Sequence, residues 1–106
     1  MDRRIREIVA DLRRRLAILY GDRLERVVVF GSQARGDADS GSDIDVLVIL
    51  SGSVMPADEV SRTIDDVAAL SLQHDVVLSC VFVGKDEFDR GGSPLLRSVR
   101  REGVPV

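Results

Sequence analysis

Two aspartates that could hold metal ions stand one residue apart near the middle of the chain. Asp43 and Asp45 lie at the start of an apolar run, IDVLVIL. Residues two apart on a β-strand point to the same face, with about 6–7 Å between their Cβ atoms. Two carboxylates placed in this way can bridge a pair of divalent cations, and oxygen ligands favour Mg²⁺ or Mn²⁺ over zinc. The plainer alternative is that one aspartate caps a turn and the other faces water.

A second polar segment precedes the aspartates and could bind phosphate. Gly31 and Ser32 directly follow a run of valines, at the end of a predicted strand. Glycine there allows a phosphate to approach the backbone, and Ser32 offers both a hydroxyl and an N–H group. Arg35, about one helical turn later, could add a positive charge. Gly-Ser alone would indicate a tight turn, but its combination with the two carboxylates indicates a two-part site.

A two-metal site usually needs a third carboxylate from another element, and Asp75 is the best candidate. It precedes the apolar run VVLSCVFV, as Asp43 precedes the earlier one. Asp75 could instead cap the strand. The alternative acids lie on a predicted helix or in a later turn, where acids commonly face water: Asp65, Asp66, Asp86 and Glu87.

The elements that must position these residues can be read from hydrophobic spacing. Apolar residues at steps of three and four predict a first helix ending at Gly21 and a second helix over 57–73. Short apolar runs predict strands over 26–30, 43–50 and 75–83, and Ser93-Pro94 predicts the start of a last helix. The order α-β-turn-β-α-β-α indicates an α/β fold with a small mixed sheet of about three strands flanked by helices.

Length and composition narrow the class of protein. We expect one domain over residues 1–106, because 106 residues with 44% hydrophobic content suffice for one core. A net charge of −3 argues against a free nucleic-acid ligand. No apolar stretch is long enough to span a membrane, and one cysteine cannot form an internal disulfide, so we expect a cytoplasmic protein.

The combined motifs resemble the signature of the DNA polymerase beta-like nucleotidyltransferase superfamily. The segment Gly31-Ser32-Gln33-Ala34-Arg35-Gly36 matches G-S-x-x-R-G, and Ser42-Asp43-Ile44-Asp45 matches S-D-x-D. The chain's small size is similar to the minimal nucleotidyltransferase (MNT) branch. The resemblance is looser at Asp75, which matches the branch's third carboxylate, a residue that follows a helix and begins a strand.

The resemblance implies transfer of a nucleoside monophosphate from a Mg-bound nucleoside triphosphate to a hydroxyl, with release of pyrophosphate. Gly31 and Ser32, with Arg35 beside them, would bind the triphosphate. Asp43 and Asp45 would hold two Mg²⁺ ions, or Mn²⁺. Asp75 would hold the metal at the acceptor hydroxyl and accept its proton. ATP is the first candidate donor, although nothing in the residues selects a base.

The resemblance also implies a protein partner. Free-standing domains of this kind are similar to the antitoxin of MNT–HEPN toxin–antitoxin pairs, in which the helical HEPN toxin is bound and can be nucleotidylated. About 106 residues leave little chain for an acceptor pocket, so the walls could come from such a partner or from another copy of the chain. The alternative function is a binding module with weak or absent chemistry that neutralises its partner by contact.

Overall fold

The computed structural model describes residues 1–39, 41 and 43–106, and these residues contain five α-helices and four strands. Their bounds, with a single 3₁₀ turn over Gly21–Arg23, are α1 (Arg3–Tyr20), β1 (Leu24–Phe30), α2 (Gly31–Arg35), β2 (Ile44–Leu50), α3 (Pro56–His74), β3 (Leu78–Gly84), α4 (Lys85–Arg90), α5 (Pro94–Glu102) and β4 (Val104–Pro105).

The four strands form one mixed sheet in the order β3-β2-β1-β4. β1 runs antiparallel to both of its neighbours, β2 and β4. β2 and β3 run parallel and are joined by α3, which is the crossover that parallel neighbours require. The N-terminal ends of β2 and β3 therefore open at the same edge of the sheet.

β2 is one of the two inner strands of the sheet and contributes more buried residues than β1 or β3. Six of its seven residues are buried, because helices cover both faces of the sheet. Its alternate residues Ile44, Val46, Val48 and Leu50 pack with α1 and with Leu70 of α3. Leu47 and Ile49 pack on the opposite face, with side chains of α4 and α5. Side chains alternate along a strand, so Asp45 lies on the same face as Leu47 and Ile49, the face covered by α4 and α5.

The helices that flank the sheet begin and end at residues with identifiable roles. Asp2 caps α1 by accepting a hydrogen bond from the Ile5 N–H, and Gly21 ends it with a positive φ of 56°. Ser93 caps α5 in the same way by accepting from the Leu96 N–H, with Pro94 in the first turn. The end of α1 at Gly21 and the start of α5 at Ser93-Pro94 are as the sequence predicts.

The predicted mixed α/β sheet flanked by helices is confirmed, and three details differ. The third strand begins at Leu78 and not at Asp75, because Asp75 has a left-handed backbone (φ 52°) that ends α3. The C-terminal segment, which the sequence leaves without structure, supplies a fourth strand beside β1. A short helix, α4, occupies a segment for which the sequence predicts only a turn. Among the described residues, no helix combines the length and apolarity needed to cross a bilayer.

Candidate active site

Asp43 and Asp45 lie together at the mouth of β2. Asp45 is the second residue of the strand and is partly buried, whereas Asp43 directly precedes the strand and is exposed. Burial raises the pKa of the Asp45 carboxyl, and the negative charge of Asp43 raises this pKa further. The two carboxylates are therefore close enough to repel each other, which is the arrangement that a bound cation stabilises.

Gly31 forms the wall behind the Asp45 carboxylate. Phe30, the last residue of β1, pairs with Asp45 in the antiparallel ladder, and Gly31 follows with a φ of 74°. A Cβ atom at position 31 would lie 2.7 Å from Oδ2 of Asp45, closer than real Cβ contacts allow. Glycine is thus required twice, for the left-handed backbone and for the approach of the carboxylate.

The segment that follows β1 forms the short helix α2, Gly31–Arg35. The Ser32 carbonyl accepts hydrogen bonds from the N–H groups of Gly36 (3.0 Å) and Asp37 (3.2 Å), which close the turn. Gly36 ends it in the left-handed conformation. Ser32 is partly buried one residue from Gly31, so the Gly-Ser pair and Asp45 share one corner of the sheet. Ser42, which belongs to the S-D-x-D motif, lies outside the described residues.

Arg35 is held by two carboxylates. Its Nε donates to Asp37 Oδ2 at 3.2 Å, and its Nη1 donates to Glu102 Oε2 of α5 at 3.4 Å. The hydrogen bond and charge of Asp37, followed by those of Glu102, raise the pKa of the guanidinium. Because the side chain is also solvent-accessible, these surface ion pairs can be exchanged for phosphate oxygens at small cost. Glu102 has no local signal in the sequence, since it lies 67 residues from Arg35.

Asp75 lies at the same end of the sheet as Asp45, where β2 and β3 begin, but it is not beside Asp45. Its N–H donates to the Ser71 carbonyl at the end of α3, and its side chain is exposed. The β3 residue in register with Asp45 is Ser79, which sequence analysis does not single out. Within the described part of the chain, no three His, Cys, Asp or Glu residues are grouped so as to hold a metal ion. The structure thus brings Asp43 and Asp45 together and leaves Asp75 outside their pair.

Asp75 lines a cavity of about 790 Å³ next to this strand mouth. Its walls include Arg4 and Ile5 of α1, Gln33 of α2, and Val77, which precedes β3. The Ile44 N–H bonds the Val77 carbonyl at 2.9 Å, so the cavity wall and the start of β2 are adjacent. Neither Asp43 nor Asp45 lines it, and it is therefore a neighbouring space rather than the carboxylate site itself.

Cys80 shows no sign of taking part in chemistry. It packs against the core on the α1 side of the sheet, and burial raises the pKa of its thiol to about 11. A thiol with that pKa is almost entirely protonated at neutral pH and is a poor nucleophile.

Comparisons with known proteins agree with this geometry. The sequence profile of the family described as "Nucleotidyltransferase domain" matches residues 3–101. A protein of Methanocaldococcus jannaschii named "Putative protein adenylyltransferase MJ0141" is 35% identical over 80 residues, which are 74% of this chain and 79% of that protein.

Two solved structures share the fold. One, titled as the toxin-antitoxin MntA-HpeT with the mutations D39ED41E, has a TM-score of 0.60 at 19% identity. The match covers 94% of this chain and 69% of that chain. The other, titled as a toxin-antitoxin with AMP-PNP, has a TM-score of 0.58 at 19% identity and covers 96% of this chain and 68% of its own. At this identity the likeness shows the fold alone.

Proposed function

The protein belongs to the nucleotidyltransferase domain family, and we propose that it transfers AMP from Mg-bound ATP to a hydroxyl group of a partner protein. The observation that carries the proposal is the packing of the Asp45 carboxylate against Gly31, with Asp43 beside it at the mouth of β2. This packing joins the two sequence motifs in one place. The name of the Methanocaldococcus jannaschii relative supports adenylyl transfer to protein.

The residues present fit Mg²⁺. Asp43 and Asp45 offer only oxygen atoms, which Mg²⁺ and Mn²⁺ prefer, and their mutual repulsion would be relieved by a cation. Asp43 and Asp45 would hold the ions, and Asp75 would complete their ligands if the segment before β3 brings it closer. When bound, Mg²⁺ would neutralise charge on the triphosphate and lower the pKa of the acceptor hydroxyl.

The triphosphate would be bound by the corner between β1 and α2. Gly31 carries no side chain to obstruct a phosphate, and Ser32 follows it with a hydroxyl and an N–H group. Arg35 would leave Asp37 or Glu102 to pair with a phosphate, which is a stronger charge-assisted contact than either exposed ion pair.

The reaction forms one bond and breaks one. The acceptor oxygen bonds to the α-phosphorus of ATP, the bond from that phosphorus to the bridging α,β-oxygen breaks, and pyrophosphate leaves with its electron pair. The acceptor proton would pass to the Asp75 carboxylate. Such transfers depend on positioning and charge neutralisation more than on covalent catalysis, which suits a site made of carboxylates, a glycine turn and an arginine.

For the partner, we propose a HEPN-like helical toxin in the cytoplasm, with this chain as the antitoxin. Support comes from the titles of the two structural neighbours, which name toxin–antitoxin complexes. The described residues form a sheet with helices on both faces and no further layer that could supply an acceptor pocket, so a partner would have to bring the acceptor hydroxyl.

One observation favours the alternative, a binding module that neutralises its partner by contact with little chemistry. Ser79, not an acid, lies beside Asp45 in β3, and Asp75 is four residues earlier in a helix cap. If Asp75 does not reach the metal, catalysis would be weak.

Labelling of protein by nucleotide distinguishes the two functions. The chain is incubated with α-³²P-labelled ATP, CTP, GTP or UTP, Mg²⁺ and lysate of its host, and protein-bound label is measured. We expect label from ATP on one protein, lost in Asp43→Asn/Asp45→Asn and retained in the matched double variant Asp58→Asn/Asp65→Asn, whose acids are exposed on α3.

Binding of the partner is measured separately by pull-down with the same variants. Label that depends on Asp43 and Asp45 supports the enzyme. Absence of protein label, together with equal neutralisation of the partner by wild type and by the Asp43/Asp45 variant, would contradict it and establish the binding module.

A further inference from the structure

β3 forms an open edge of the sheet. The strand order places β3 at one end, with β2 on one side and no described strand on the other. The Val77 carbonyl accepts from Ile44 N–H of β2. Since main-chain groups alternate sides along a strand, those of Leu78, Cys80 and Phe82 point away from β2. This edge therefore offers a row of donors and acceptors to another strand.

The β3 edge lacks the features with which proteins usually prevent edge pairing. Its seven residues, LSCVFVG, contain no charge and no proline. The opposite edge differs, because β4 has only two residues and ends at Pro105. The fold thus protects one edge of the sheet and leaves the other available.

An exposed apolar flank of α3 lies above the same edge. Glu59 and Asp66 of α3 contact Tyr20 and Arg15 of α1, so they mark the side of the helix that faces α1. Val60 and Ile64 are turned about 100° and 140° from Glu59 around the helix axis, past the buried face and away from α1. They are 46% and 52% exposed. Because α3 packs on both α1 and β3, a flank turned away from α1 lies on the β3 side of the helix.

We propose that β3 pairs antiparallel with β3 of a second copy of this chain about a two-fold axis. A two-fold interface brings each surface against itself, so both the strand edge and the α3 flank must tolerate their own copy. Neither carries a charged residue: the strand is LSCVFVG, and the flank presents Val60, Ile64 and Ala68. Two chains that each carry a net charge of −3 meet there without opposing like charges.

The pairing would create a continuous eight-stranded sheet, with the α3 helices of the two copies packed against each other above the junction. The outward N–H groups of Cys80 and Phe82 would gain carbonyl partners, and Val60 and Ile64 would lose their contact with water. The two Asp43/Asp45 sites would remain open, since these aspartates lie at the strand mouth and not along the outer edge of β3.

The test measures mass and amide protection on the isolated full chain. Sedimentation velocity and light scattering should give a particle of twice 11.6 kDa that dissociates on dilution. Ile64→Lys should abolish the dimer, because the lysine would face the same lysine of the second copy, whereas Ile18→Lys should leave the dimer intact. Ile18 is the matched control, an isoleucine that is 87% exposed on α1. Circular dichroism verifies that both variants are folded.

Hydrogen exchange identifies the edge that pairs. We expect the Cys80 and Phe82 amides to be protected in wild type and to exchange faster in Ile64→Lys. A wild-type chain that is monomeric up to its solubility limit would overturn the proposal, as would a dimer that survives Ile64→Lys with unprotected Cys80 and Phe82 amides. Protection that arises only when another protein is added would assign the edge to that protein instead.

Discussion

The carboxylate of Asp45 occupies the space that a side chain at position 31 would need. Oδ2 of Asp45 lies 2.7 Å from the position of a Cβ atom on Gly31. Two residues 14 apart in sequence are thus fitted to each other through the Phe30–Asp45 pair of the β1–β2 ladder. The glycine of one motif sets the position of the carboxylate of the other.

Gly31→Ala should abolish nucleotide transfer, because the new methyl group would displace the Asp45 carboxylate. Gly21→Ala is the matched control, with a φ of 56° and no atom within 4 Å of the added Cβ. Both variants should lose stability because an alanine is strained at a positive φ, and Gly31→Ala should lose more because its methyl group clashes with Asp45; urea unfolding measures both losses. Transfer activity in Gly31→Ala at the level of Gly21→Ala would show that the fit to Asp45 has no role in the reaction.

Asp43→Asn should stabilise the protein slightly in the presence of a chelator, by less than about 1 kcal/mol. Burial and the Asp43 charge raise the pKa of Asp45. A carboxyl with a raised pKa makes the free energy of unfolding fall as pH rises through that pKa. The gain should therefore be present at pH 7 and vanish at low pH, where the Asp45 carboxyl is protonated and carries no charge for Asp43 to repel. A clear loss of stability at pH 7 would instead indicate that Asp43 caps a turn.

Asp75→Asn should lower the rate of transfer by about 10²–10⁴-fold if Asp75 accepts the proton of the acceptor. Asparagine tolerates the left-handed backbone found at this position, so the melting temperature should not change. The control is Asp86→Asn, which removes an exposed acid from the first turn of α4. Equal rates for Asp75→Asn and wild type would exclude Asp75 as the proton acceptor.

Arg35→Gln should weaken ATP binding by about tenfold, the effect of removing one charge-assisted hydrogen bond. Glu102→Gln should strengthen binding modestly, because it frees the guanidinium from one of its two carboxylate partners. Titration with a fluorescent ATP analogue measures both, with Arg97→Gln as the control on α5. Weaker binding by Glu102→Gln would mean that the ion pair positions Arg35 for the nucleotide.

Tyr20→Phe should lower the free energy of unfolding by about 1–3 kcal/mol, because it removes a hydrogen bond from a buried carboxylate. Tyr20 Oη donates to Glu59 Oε1 at 2.8 Å, and Glu59 is 2% exposed. Burial alone would raise the pKa of Glu59, but hydrogen bonds from Tyr20, the Met55 N–H and Arg62 together lower it.

The lowered pKa of Glu59 sets the pH dependence of that variant. A carboxyl with a lowered pKa stabilises the fold at pH values above its ordinary pKa, which is about 4.3 for glutamate. This stabilisation is lost as pH falls through the lowered pKa. The difference between wild type and Tyr20→Phe should accordingly be full at pH 7 and shrink below about pH 4. Urea unfolding over this range measures it. A difference independent of pH would assign the loss to packing of the tyrosine rather than to its bond with Glu59.

The sequence by itself determined the longer elements and the corner that joins the two motifs. Hydrophobic spacing predicts α1, α3 and the three longer strands, β1, β2 and β3, since burial on one or both faces leaves a local periodic pattern. The Gly31-Ser32 pair and the two aspartates also indicate a phosphate and metal site from the sequence. Each motif adjoins a strand, and the two strands are joined by a short segment, so their pairing brings the motifs together.

Only the tertiary structure decided which side chains meet beyond that corner. The β2–β3 register places Ser79 beside Asp45 and leaves Asp75 in a helix cap. Arg35 meets Glu102 across 67 residues, and the C-terminal residues become a strand only because β1 offers them an unpaired edge. These contacts depend on register and packing between distant segments, and such contacts leave no periodic signal in the residues that make them.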